Sequence, residues 1–133
     1  MKNRLALCIG NSEYLDAEID NLPNAAKDAQ LINSTLLARG FDSKLLTNAT
    51  GDVIQQALAE LKTKADAVGN AFVIIYFAGH GFETGGLGFL VAADQPSPLT
   101  LSAIAAWGLS TLSLVEALAG CNGPKLIILD ACR

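Results

Sequence analysis

Phe72-Val73-Ile74-Ile75-Tyr76-Phe77-Ala78-Gly79-His80-Gly81 is the stretch that decides the fold. Its apolar part, too short for a membrane span and rich in β-branched and aromatic side chains, reads as a strand buried on both faces of a parallel sheet, ending in a turn at Gly79-His80-Gly81. A second run of the same kind, Lys125-Leu126-Ile127-Ile128-Leu129, stops at Asp130-Ala131-Cys132-Arg133. As parallel neighbours about 4.8 Å apart, the two strands would bring the chain's single His and a Cys to one carboxyl edge. That edge is where open α/β sheets place their chemistry.

Working outward, residues 4–9 predict a first strand ended by Gly10-Asn11, with Cys8 inside it as a small buried hydrophobe. Residues 12–23 read as a polar surface loop carrying Glu13, Asp16, Glu18 and Asp20. A helix is expected from Asn24, its N-cap, to Arg39-Gly40, with Ala29, Leu31, Ile32, Leu36 and Leu37 as its apolar stripe. Residues 41–47 give a second strand. Asp52 is the expected N-cap of a second helix reaching about Val68, with Val53, Ala57, Leu58, Leu61 and Ala65 facing inward. Strand-helix-strand-helix-strand order specifies a parallel sheet with helical crossovers. Beyond His80, the glycines between Phe82 and Gly88 and renewed strand character at Phe89-Leu90-Val91 predict a small hairpin or lid. Residues 101–107 read as a short strand or extended approach. Ser110 caps a third helix with Leu112, Leu114, Val115 and Leu118 apolar, and Asn122-Gly123-Pro124 turns the chain into the last strand.

The 133 residues suit one domain, 1–133, and a hydrophobic fraction of 51% argues against disorder. No apolar stretch approaches the roughly 18 residues of a spanning helix, and the start lacks signal-peptide character, so a cytoplasmic protein without membrane partners is expected. Lys and Arg number 9 against 13 Asp and Glu, a net charge of -4 without a basic cluster, which excludes nucleic acid as an expected ligand. Cys8, Cys121 and Cys132 are odd in number and lack CxxC spacing, against a disulfide framework or structural zinc. Cys121, beside Gly120 and Asn122 in a turn, reads as incidental. The loop after the first strand has no phosphate-cradling glycine pattern, against a nucleotide binder. A last strand without a covering helix implies an incomplete sheet.

A thiol titrates near about 8.5 and attacks only as thiolate, so a neighbouring imidazole that takes its proton makes a nucleophile of it. Cys132 and His80 on adjacent strand ends supply that pair. The backbone N–H of Gly81, free of side-chain bulk, and that of Cys132 are candidate oxyanion donors. Asp130, two residues before Cys132, is placed to receive a basic substrate side chain.

Tyr76-Phe77-Ala78-Gly79-His80-Gly81 followed by Leu129-Asp130-Ala131-Cys132-Arg133 resembles the caspase-hemoglobinase clan, in particular the prokaryotic caspase-like proteases, metacaspases and orthocaspases. Residues 5–11 and Leu22-Pro23-Asn24-Ala25-Ala26-Lys27-Asp28-Ala29 resemble their first strand and the Asp-bearing start of their first helix. The His-to-Cys spacing of roughly 50 residues agrees with caspases. The resemblance covers essentially the whole chain as a large catalytic subunit. It implies a three-layer α/β/α fold and a Cys132–His80 dyad acting through a thioester acyl-enzyme. It also implies an acidic pocket at Asp130 and Asp28 selecting Arg or Lys, and a small subunit or C-terminal segment that completes the sheet. True caspases place Gln before the catalytic Cys and bind Asp through arginines; this sequence departs from them, so basic specificity is expected. No cofactor is expected. An alternative for the acidic loop is calcium, which some metacaspases need, although its spacing fits no EF-hand pattern. The rival function is a non-catalytic caspase-like scaffold that binds partners.

Overall fold

The computed structural model describes residues 2–97, 100, 102–103 and 109–132, Cys132 through its backbone. In chain order the elements are β1 (Arg4–Gly10), α1 (Ala25–Ala38), β2 (Asp42–Thr47), α2 (Gly51–Val68), β3 (Phe72–Thr84), β4 (Leu87–Leu90), β5 (Leu109–Ser110), α3 (Thr111–Ala117) and β6 (Lys125–Cys132). Strands β2, β1, β3 and β6 are parallel neighbours in that order. Residues 101–107, expected as strand, lie outside the described residues except for Ser102 and Ala103.

β3 is longer than its apolar run suggests. It continues through Gly79-His80-Gly81 and folds back antiparallel on β4, from Gly81 opposite Leu90 to Thr84 opposite Leu87. The expected turn at His80 is therefore corrected to strand. The reversal comes instead at Gly85 and Gly86, whose φ values of 57° and 79° suit a type I′ hairpin loop. The expected hairpin after His80 is thus present, and β5 extends it beyond β4.

Side chains alternate across the sheet and separate two apolar layers. On one face Cys8, Tyr76 and Ala78 meet Ala25 and Ala29 of α1. On the other, Leu5, Leu7, Ile9, Val73, Ile75 and Phe77 meet Ile54, Leu58 and Leu61 of α2 and Leu114 and Leu118 at α3. This is the expected three-layer α/β/α arrangement, and each fully buried Leu, Ile or Phe stabilises it by roughly 1.5–3 kcal/mol.

The predicted stripes face inward in the main, through Ala29, Ile32 and Leu36, through Ala57, Leu58, Leu61 and Ala65, and through Leu114 and Leu118, but their edges are misplaced. Leu31 and Leu37 of α1, Val53 of α2, and Leu112 and Val115 of α3 face solvent. Ile54 replaces Val53 in the buried set of α2. Thr50, not Asp52, caps α2, its Oγ1 accepting from the Val53 N–H at 3.4 Å. Asn24 occupies the cap position of α1 without a side-chain bond. Ser12 from the preceding loop caps that helix instead, its Oγ accepting from the Ala26 N–H at 2.8 Å.

β6 departs furthest from expectation. It was expected to be buried on both faces, yet Leu126, Ile128 and Leu129 are 45%, 38% and 42% exposed. The cause is its position: among the described residues only β3 pairs with it. No helix among the described residues is long and apolar enough to cross a membrane.

Candidate active site

The parallel register of β3 and β6 sets His80 directly opposite Cys132 and Ala78 opposite Asp130. The two residues that the strand ends suggest as a pair are therefore one ladder step apart. His80 is half-buried, and its Nε2 lies 2.7 Å from the carbonyl oxygen of Asp20. A carbonyl only accepts, so Nε2 carries a proton, and in the neutral ring Nδ1 is then the nitrogen with the lone pair.

His80 also marks a change of partners along β3. Ladder pairing with β1 ends at Gly10 opposite Ala78. Beyond it the His80 carbonyl accepts from the Val91 N–H at 3.0 Å, while its own N–H donates to the Tyr14 hydroxyl at 2.9 Å. Because His80 faces the β4 side, alternation makes Gly81 opposite Leu90 a non-bonded pair, so the Gly81 N–H points away from β4, toward β6. A cavity of about 210 Å³ lined by Gly81, Leu129 and Ala131 opens there.

Asp28, in the first turn of α1, and Asp130 line one open pocket of about 180 Å³, with Ala78 and Gly79 as its floor. Burial, then the neighbouring carboxylates of Asp130 and Asp28, push the Tyr76 phenol above its ordinary range. Tyr76 is thus a buried neighbour of the pocket's Asp130, although its place in an apolar run marks it only as core.

The loop over residues 12–23 is a correction to the expected solvated surface. Tyr14 and Ile19 are buried and pack with Val91. The Asp16 carboxylate accepts from the Ser97 N–H and hydroxyl, both at 2.8 Å, and Glu18 lies 2.9 Å from the same hydroxyl. The Ser97 and Glu18 N–H groups and the Ser97 hydroxyl hold the Asp16 carboxyl below its usual value. Cys8 and Cys121 are both buried free thiols, and burial pushes Cys8 upward, which leaves each inert. Cys121 belongs to the core rather than an incidental turn.

Residues 3–133 match the model of the caspase domain. The chain belongs to the caspase domain family. Its fold is similar to that of a Geobacter sulfurreducens protein of known crystal structure, at a TM-score of 0.74 and 19% identity over 98% of this chain and 51% of that one. Pro-sf-caspase-1 gives a TM-score of 0.69 at 16% identity, covering 98% of this chain and 46% of that one. Human mucosa-associated lymphoid tissue lymphoma translocation protein 1 is 30% identical over 97 residues, 73% of this chain and 11% of its own length. This caspase domain spans about half of the solved chains it matches and a small part of the human relative. Membership points to chemistry of the cysteine-peptidase kind.

Proposed function

We propose that this caspase domain is the large catalytic part of a cysteine endopeptidase that cleaves after Arg or Lys. The observation that carries the reading is the register of His80 against Cys132. Nδ1 of His80 takes the Cys132 proton, and the thiolate attacks the scissile carbonyl carbon. The resulting oxyanion is met by the N–H groups of Gly81 and Cys132. Imidazolium then protonates the departing amine, leaving a thioester. Water, deprotonated by His80, releases the acyl product and restores the thiol. Asp130 and Asp28 receive the basic side chain. The scheme needs no metal or cofactor. A small subunit or downstream segment covers the free side of β6 and completes the substrate groove; processing or a partner would bring it into place.

Full-length protein is expected to hydrolyse Arg- and Lys-containing peptides and to leave Asp-containing ones intact; the opposite preference would sink the pocket assignment. Cys132→Ala should abolish turnover, and His80→Ala should cost roughly 10²- to 10⁴-fold. The exposed face of β6 also suits a non-catalytic scaffold, since a partner can cover it without chemistry. An Arg-peptide carrying a thiol-reactive warhead separates the two, because a scaffold has no need to activate Cys132.

A further inference from the structure

We propose that Tyr14 is the positioning residue of the dyad, its hydroxyl taking the place of a strand carbonyl as acceptor for the His80 N–H; the proposal rests on the peptidase reading above. β1 delivers its last bond to β3 from the Asn11 N–H to the Ala78 carbonyl, at 2.9 Å. Two residues further on, the His80 N–H meets the Tyr14 oxygen. The same hydroxyl donates its single proton to the Asn11 carbonyl at 3.1 Å, which turns its lone pairs toward His80. Asn11 is itself immovable. It is fully buried, its Oδ1 accepts from the Ala49 N–H at 2.9 Å, and its Nδ2 reaches the carbonyls of Ala49 and Val91 at 3.3 and 3.4 Å. Burial holds the Tyr14 phenol above its ordinary range, so the proton it gives Asn11 stays in place at neutral pH.

The ring contributes as well as the hydroxyl. Tyr14 and His80 are tilted at 51° with centroids 5.0 Å apart, so the phenol backs the imidazole. Gly79 admits this approach, since a Cβ there would stand 2.9 Å from the Tyr14 oxygen. The loop then returns to grip the ring a second time. Asn21 Oδ1 accepts from the Tyr14 N–H at 3.0 Å, next in sequence to the Asp20 carbonyl that holds Nε2. One closed loop therefore fixes both the backbone and the ring tautomer of His80.

The chain contains a single His, so the imidazole ¹⁵N spectrum of the full-length protein reports this ring alone. Three preparations are compared: wild type, Tyr14→Phe, which keeps the ring and loses the hydroxyl, and Asn21→Ala. Wild type should show one tautomer with a slowly exchanging Nε2 proton. Tyr14→Phe should mix the tautomers and speed that exchange about tenfold or more, and lower kcat for an Arg-peptide about tenfold at unchanged KM. Asn21→Ala should move both readouts the same way by a smaller factor, and it carries the test if Tyr14→Phe fails to fold. An unmoved imidazole spectrum, or a loss confined to KM, overturns the proposal. The spectrum needs no turnover: if wild type cleaves no peptide, the peptidase reading fails while the grip of Tyr14 on His80 is still measured.

Discussion

Asn11 joins the ends of four segments, and every bond its side chain makes is to backbone. Replacing it by Ala strands the Ala49 N–H and the buried Val91 carbonyl, while the Ala49 carbonyl keeps the Ala93 N–H. The expected cost is about 2–4 kcal/mol, from roughly 1–3 kcal/mol per stranded group with partial relaxation, read as a shift in the urea midpoint at unchanged slope. At the acidic pocket the loss is in chemistry. Asp130→Asn keeps the shape and removes the charge, so kcat/KM for Arg substrates should fall about tenfold to a hundredfold, the value of a charge-assisted hydrogen bond, with little change in melting temperature. The register of His80 against Cys132, and the shared pocket of Asp28 and Asp130, were legible because these residues sit in short motifs that follow apolar strands or open a helix. Tyr14, Asn11 and Ser12 were not, because they act on backbone atoms remote in sequence. A count of charges between Glu13 and Asp20 describes the outside of that loop and misses its buried Tyr14 and Ile19.

Helix existence and most of the inward faces followed from periodicity, whereas the edges of those faces did not. α1 buries Ala25, Ala29 and Asn33, small or polar residues, while its larger Leu31 is 67% exposed. Close approach explains the choice: a Cβ at Gly10 would lie 2.7 Å from Ala29 Cβ, leaving no room for a leucine stripe. Ala29→Leu should therefore destabilise by about 1–3 kcal/mol through overpacking, whereas Leu31→Lys should change stability by less than about 0.5 kcal/mol, both measurable by denaturant melts. The loop of residues 12–23 is fastened to Ser97 through Asp16. Its carboxyl titrates lower in the folded chain than the ordinary value near about 3.9. The fastening is thus complete above that pH and is lost as pH falls through the depressed value. Hydrogen exchange in residues 12–23 should rise below about pH 4, and Ser97→Ala should raise it at neutral pH as well.

Across the molecule, the outer layer is uneven. Leu87, Leu112, Val115 and Leu129 are all exposed, and with Ile127 they line a cavity of about 450 Å³ between the hairpin, α3 and β6. An exposed apolar patch of this kind marks a contact surface. Residues 1–133 alone should bind a hydrophobic dye and associate with rising concentration; Leu112→Lys with Val115→Lys should suppress association while shifting the melting temperature by only a degree or two, as surface changes do. The parallel order of the sheet and the burial of β3 were legible from the apolar runs, but the exposure of β6 was not, because an apolar run cannot say whether anything lies beside it. β3 carries the loop that grips His80 along one flank and β6 along the other. On the peptidase reading proposed above, the proton acceptor is anchored by its own domain while the nucleophile's strand answers to whatever docks beyond it, so activity would be switched on one side without disturbing the other.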